Sequence, residues 1–78
     1  MRGYVKDNPY QKERIILGQT IKNLREQRKM TQEDLAEKAD LDVSYLAKIE
    51  NGYVNTTVRY LIKISRGLQV KAKDLLNF

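Results

Sequence analysis

The sequence of 78 residues predicts an all-α fold in which five helices form one compact domain. Apolar residues recur every three or four positions, which is the spacing of helices that bury one face. Residues that favour helix N-termini precede several of these segments. Only one Pro and four Gly interrupt the chain, and no segment shows a convincing strand pattern. A chain this short has a small core, so a partner or very regular packing is expected to add stability.

The folded domain is expected to follow an N-terminal arm. Residues 1–8 show no periodicity and are predicted to be a mobile arm, whereas residues 9–78 form the domain. Asn8-Pro9 marks the start of the first helix, because Asn caps helices and Pro suits their first turn. This helix should end near Lys29, and its Gly18 costs about 1 kcal/mol relative to Ala unless close packing requires it. The helical stripe comprises Leu17, Ile21, Leu24 and Arg28.

Two short helices are predicted to follow, separated only by a tight turn. Thr31 is a suitable N-cap, and Asp34 three residues later forms a variant of the capping box. The second helix should therefore run from Gln32 to about Lys38. Asp42 can cap the third helix, and Asn51-Gly52 is a strong signal for its C-terminal end.

The C-terminal part of the chain is predicted to contain two further helices. Thr56 or Thr57 can cap the fourth helix. Its apolar stripe is expected to be buried and comprises Val58, Leu61, Ile62, Ser65 and Leu68. Val70, Leu75 and Leu76 are expected to supply a short closing helix.

The composition narrows the possible classes of function. The chain has no Cys and no His, so it cannot form a disulfide, a zinc site with Cys or His ligands, or a His-based catalytic triad. We expect no cofactor, no metal and no enzymatic activity. The net charge of +5 favours a polyanionic partner such as nucleic acid, although a basic surface can also serve solubility alone. Because no segment resembles a signal peptide or a membrane span, a cytoplasmic protein is expected.

The geometry of the third predicted helix explains why it lies so close to the second. With about 100° of rotation per residue, Leu46 and Ile49 lie on one side of this helix. Val43, Ser44 and Lys48 lie on the other side. Two helices joined by a tight turn, the second with one free face, form a helix-turn-helix, and its free face is shaped to enter a DNA major groove.

Three segments resemble a known family. TQEDLA, SYLAKIENG and LGQTIKNLRE are similar to the phage repressor and Cro type of helix-turn-helix, the XRE-like family with the lambda-repressor-like fold, over residues 16–76. The chain also resembles the controller proteins of restriction-modification systems, which share the pair seen here as Tyr45-Leu46. The resemblance implies sequence-specific binding of double-stranded DNA at a palindromic or pseudo-palindromic operator, by a homodimer that regulates transcription.

The resemblance also assigns roles to individual residues. Gln32 matches a residue that contacts a phosphate. Arg25 and Glu50 match an ion pair between the first and third helices. Base contacts are implied for Val43, Ser44 and Lys48. Further phosphate contacts are predicted for Tyr45, Asn51 and Arg59.

Several of these residues also have a structural interpretation. Lys48 and Gln32 could be ordinary solvated side chains, and Ser44 could bond its own backbone, as Ser near a helix start often does. Val43 either contacts a thymine methyl group or shapes the turn. Tyr45 either packs against the domain or touches a phosphate.

Three positions depart from the family pattern. Asp40 stands where Gly is usual in the turn, but Asp tolerates the left-handed conformation better than most residues. Gln69 replaces a common Gly, and Lys71 replaces the usual Ser or Thr cap of the last helix. These changes are expected to weaken the helix boundaries without changing the fold.

Dimerisation is predicted to use the C-terminal apolar residues. Leu76 and Phe78 are the expected interface residues, with Tyr4 in the arm as a further candidate, whereas Leu68 and Leu75 are expected to close the monomer. The alternative function is that of an antitoxin-like module that binds a partner protein in a toxin-antitoxin pair. Stable co-purification with such a partner would distinguish this function from DNA regulation.

Overall fold

A computed structural model describes residues 9–78 and shows four α-helices followed by one 3₁₀ helix. The helices are α1 (Gln11–Gln27), α2 (Gln32–Ala39), α3 (Val43–Glu50), α4 (Val58–Leu68) and the 3₁₀ helix Ala72–Leu75. The all-α prediction is confirmed, and residues 9–78 contain no strand. The fifth predicted helix is a single 3₁₀ turn, too short to be an α-helix. The predicted arm, with Tyr4, lies outside the described residues.

The start of α1 differs from the prediction. The helix begins at Gln11 rather than at Asn8-Pro9, because Tyr10 adopts a left-handed conformation with φ 61° and ψ 37°. A right-handed helix cannot continue through such a residue, so the first helical residue is the next one. No side chain caps this N-terminus.

The other three α-helices begin at side-chain caps. The Thr31 hydroxyl accepts the Asp34 N–H at 3.0 Å, and the Asp34 carboxylate accepts the Thr31 N–H at 2.9 Å, which completes the predicted capping box. The bond from the Thr31 N–H stabilises the ionised carboxylate and is the main reason that the pKa of Asp34 is lowered. Asp42 caps α3, and Thr57 rather than Thr56 caps α4.

All four α-helices end in the same way. In each, a residue with positive φ follows the last turn, and the N–H after it bonds to a carbonyl five residues earlier in the chain. This Schellman-type arrangement satisfies carbonyls that the helix leaves unpaired. It also ends α1 at Gln27, two residues before the predicted Lys29. The positive-φ residues are Lys29, Asp40, Gly52 and Gln69.

The core lies between α1, α2, α4 and the inner side of α3. Its buried apolar residues are Leu17, Ile21, Leu35, Ala36, Ala39, Leu46, Ile49, Ile64, Leu68 and Leu75. The predicted stripe of α4 is partly wrong, because Val58 is 71% exposed and Ile62 is 39% exposed. Ile64, which the prediction omitted, is fully buried. The helix therefore turns one edge of its wide apolar face outward.

The position of α3 is fixed by contacts with α1 and α2. Gly18 of α1 packs directly against the carbonyl groups of Ile49 and Glu50, at the end of α3. This close approach is the packing reason for a Gly inside the helix. None of the helices in residues 9–78 has the length and apolar character that crossing a bilayer requires.

Candidate nucleic-acid interface

The turn between α2 and α3 is only three residues long and is held by backbone hydrogen bonds. Asp40 has φ 57°, and the Leu41 N–H donates to the Ala36 carbonyl at 2.8 Å. Lys63 of α4 donates from Nζ to the Asp40 carbonyl at 3.2 Å. The left-handed turn therefore survives without Gly, and α4 supports it from outside.

The two sides of α3 differ in exposure as the helical geometry predicts. Leu46, Ile49 and Glu50 are buried, whereas Ser44 and Lys48 are exposed to solvent. Asn51, the C-cap residue, is also exposed. Polar side chains that can bond to base edges thus occur along one open side of a helix whose opposite side is buried.

The first turn of α3 contains two predicted base contacts in different environments. Val43 is half-buried and packs against the core, which supports a role in shaping the turn. Ser44 is exposed, and its hydroxyl donates to the Asp42 carboxylate at 3.1 Å. Its backbone N–H faces the other oxygen of the same carboxylate at 3.4 Å. Ser44 therefore bonds the side chain of its capping residue.

A buried ion pair connects α1 to α3 and extends to the start of α2. Arg25 donates to both oxygens of Glu50, from Nε at 2.8 Å and from Nη2 at 3.1 Å. The bond to Glu50 is the main reason that the pKa of Arg25 is raised. Gln32 donates from Nε2 to Glu50 at 3.0 Å, and Arg25 also donates to the Met30 carbonyl at 2.8 Å. The Glu50 carboxylate thus connects α3 to both α1 and α2.

Gln32 lies at the start of α2, and its side chain is partly engaged by Glu50. It is the first residue of α2, and the backbone N–H groups of a first helical turn favour anions. The amide bond to Glu50 uses one hydrogen of Nε2, so the second hydrogen remains for another acceptor. The bond from Gln32 to Glu50 was not predicted from the sequence.

Tyr45 packs against α4. Its ring centroid lies 4.9 Å from that of Tyr60, with an interplanar angle of 48°. Lys63 Nζ lies 5.8 Å from the centroid of the Tyr60 ring. Tyr45 is half-buried, so the packing interpretation describes its ring, and a phosphate contact would involve the phenolic end.

Two arginine side chains outside the turn differ in their exposure and in whether the sequence indicated a role for them. Arg59 is exposed in the first turn of α4 and forms no ion pair with any residue from 9 to 78. Arg14, which the sequence analysis missed, is buried and donates to the Gly52 carbonyl at 3.1 Å and to the Pro9 carbonyl at 3.0 Å. The sequence did contain a signal for the burial of Arg14, because this residue lies on the same helical stripe as Leu17.

The sequence matches the family described as HTH_3: Helix-turn-helix over residues 21–75. The chain belongs to this helix-turn-helix family. It is 39% identical over 66 residues to the control protein C.BamHI of Bacillus amyloliquefaciens, and the match covers 83% of this chain and 82% of that protein. It is 47% identical over 60 residues to the immunity repressor protein of Bacillus phage phi105, covering 74% of this chain but 42% of the repressor.

A solved structure shows the same arrangement of helices. The restriction-modification controller protein C.AhdI from Aeromonas hydrophila superposes with a TM-score of 0.80 at 28% sequence identity. The match covers 82% of this chain and 97% of the controller protein. The resemblance stated from the sequence, to the XRE-like family and to controller proteins, is thereby confirmed.

Proposed function

We propose that the protein is a transcriptional regulator that binds double-stranded DNA sequence-specifically, as a homodimer, at a palindromic or pseudo-palindromic operator. One observation carries the proposal: the outward side of α3 exposes Ser44 and Lys48 on a helix whose opposite side is fixed in the core. Its relatives named above are a control protein and a repressor, which supports regulation rather than the antitoxin alternative or catalysis. A regulator of this kind acts in the cytoplasm, where it reaches DNA.

The polar groups around α3 divide into two kinds of contact. Ser44 and Lys48 face outward from the recognition helix and are assigned to base edges, with Val43 contributing only its exposed part. The first turn of α2 with Gln32 and the first turn of α4 with Arg59 flank that helix and are assigned to phosphates. Asn51 and the phenolic end of Tyr45 are further phosphate candidates.

Selection of bound fragments from random double-stranded DNA tests the proposal. Sequencing after several rounds should yield one enriched motif with two inverted half-sites, whose centres are about 34 Å apart along the DNA. Footprinting on a selected fragment should protect both half-sites. Binding without an enriched motif, or no binding at low salt, would contradict the proposed function.

Replacing Lys48 and Arg59 separately should produce different kinds of loss. Lys48→Ala should relax the preference at one base step by roughly 1 to 3 kcal/mol, because it removes a base contact. Arg59→Ala should weaken binding to all sequences, because it removes a phosphate contact. The slope of log K against log salt concentration should become shallower by about one. Fluorescence anisotropy on specific and random DNA at several salt concentrations measures both effects. An equal loss on specific and random DNA for Lys48→Ala would refute base readout.

The homodimer is proposed from the apolar surface at the C-terminal end of the chain. Phe78 is 62% exposed and Leu76 is 46% exposed, and both line an open apolar cavity of about 250 Å³ together with Leu61. Val58 and Ile62 are two further exposed apolar residues of α4, the helix that contains Leu61. Exposed apolar side chains around an open apolar cavity are typical of an interaction site.

Phe78→Ser should weaken the dimer by roughly tenfold or more, since truncating a buried aromatic anchor commonly costs more than 1 kcal/mol. Analytical ultracentrifugation across micromolar concentrations measures this change. The matched control is Ile15→Ser, because Ile15 is exposed on α1 but does not line the cavity. A wild-type protein that stays monomeric throughout and protects one unrepeated half-site would exclude the dimer.

A further inference from the structure

The Asp42 carboxylate binds the Ser44 side chain at the start of α3. Ser44 Oγ lies 3.1 Å from Asp42 Oδ2, and the Ser44 N–H faces Oδ1 at 3.4 Å. An ionised carboxylate has no hydrogen to donate, so the hydroxyl hydrogen must lie between the two side chains. Both residues are exposed to solvent. The direction of this hydrogen bond is therefore fixed by chemistry.

This direction limits what the hydroxyl can offer to a base. A Ser hydroxyl has one hydrogen and two acceptor lone pairs, and in most settings it rotates to suit either partner. Here the hydrogen is engaged by Asp42, so Ser44 Oγ presents only lone pairs. In the major groove, adenine N6 and cytosine N4 donate hydrogens, whereas guanine O6 and thymine O4 only accept.

We propose that Asp42 is a positioning residue that sets the base preference of Ser44. By holding the hydroxyl hydrogen, it makes Ser44 select adenine or cytosine over guanine or thymine at one position in each half-site. The negative charge of Asp42 acts in the same direction, because it disfavours the electronegative O6 and O4 atoms nearby. The proposal rests on the proposed function, and it adds a residue that the sequence analysis treated only as a helix cap.

Asp42→Asn is the informative substitution, because Asn is as good a helix cap as Asp. Its amide oxygen can still accept the Ser44 N–H, which places the amide NH₂ against Ser44 Oγ. The hydroxyl then accepts from the amide, and its own hydrogen becomes free to donate to a base. The preference at that position should change from adenine or cytosine to guanine or thymine, while the rest of the site is unchanged.

The experiment is selection from random DNA with the wild type, Asp42→Asn and Ser44→Ala. The position that loses its preference in Ser44→Ala identifies the contact, and the wild type should favour adenine or cytosine there by about threefold to tenfold, the effect of one hydrogen bond. If the wild type selects a motif but Asp42→Asn keeps the same preference, this proposal alone is overturned. If the wild type selects no motif, the proposed function is overturned with it.

A second measurement does not depend on the folding of Asp42→Asn, which circular dichroism would check. In the selected site, the preferred base is replaced by an analogue that lacks only its exocyclic amino group. Wild-type affinity should fall by about threefold to tenfold, because the donor to Ser44 is gone. The affinity of Ser44→Ala should not change. An equal change in both proteins, or no change in either, would refute the contact.

Discussion

Glu50→Gln is expected to lower the free energy of unfolding by about 3 to 5 kcal/mol, which is the cost of leaving the charge of Arg25 buried without its partner. The Glu50 side chain is 2% exposed and that of Arg25 is 9% exposed, so water cannot replace the lost carboxylate. Both oxygens of Glu50 accept hydrogen bonds from Arg25, and one of them also accepts from Gln32. An amide at this position would turn an NH₂ group toward one of these donors. Urea unfolding of the two proteins measures the difference.

Glu37→Gln is the matched control for this substitution. Glu37 is an exposed residue of α2 that forms no ion pair within residues 9–78, so the same change of charge should alter stability by less than about 0.5 kcal/mol. A loss below 1 kcal/mol for Glu50→Gln would place the pair in the range of exposed ion pairs and would contradict its structural role. Because Gln32 shares this carboxylate, weaker binding to all DNA sequences should accompany the loss of stability.

The helix boundaries could be predicted because they depend on neighbouring residues in the chain. The capping box of Thr31 and Asp34 involves residues three positions apart, and the stop at Gly52 depends on its positive φ. The start of α1 at Gln11 could not be predicted in this way. Nothing in the residue type indicates that Tyr10 adopts a left-handed conformation, which non-Gly residues avoid unless the surrounding structure holds them there.

The exposure of α4 was less predictable because its apolar face is wider than the area that the domain covers. Val58, Ile62 and Ile64 are all consistent with an amphipathic helix, and periodicity alone does not say which edge faces the core. The packing of α2 and the 3₁₀ helix against α4 determines which edge is buried, and the periodicity of α4 alone does not contain this information. Val58 and Ile62 lie on the edge that these contacts leave exposed.

The candidate site was predictable to the level of helix faces but not of hydrogen bonds. Helical geometry is enough to place Ser44 and Lys48 on the open side of α3. The bonds from Gln32 to Glu50 and from Ser44 to Asp42 depend on side-chain rotamers and on the crossing of α2 and α3. Residue spacing does not specify rotamers, so these bonds required the structure.

Gly18→Ala is expected to destabilise the domain even though Ala is the better helix former by about 1 kcal/mol. A Cβ at this position would overlap the backbone carbonyls of Ile49 and Glu50, which lie in direct contact with Gly18. Backbone atoms cannot yield as a flexible side chain can, so α1 and α3 would have to separate. Overpacking of this kind typically costs about 1 to 3 kcal/mol, and the full loss exceeds that range if the ion pair also breaks. Thermal and urea unfolding measure the change.

Gly67→Ala provides the comparison that separates overpacking from helix propensity. Gly67 is also inside a helix, but an added Cβ would lie 3.0 Å from Leu35 Cδ1 and 3.3 Å from the Ala39 backbone nitrogen, distances that small shifts can relieve. Its cost should therefore be much smaller and be partly offset by the gain in helix propensity. Because Gly18 sets the distance between α1 and the recognition helix, Gly18→Ala should also reduce specific DNA binding in the fraction that remains folded. Equal stability of the two variants would show that the contact between α1 and α3 is not tight enough to require glycine.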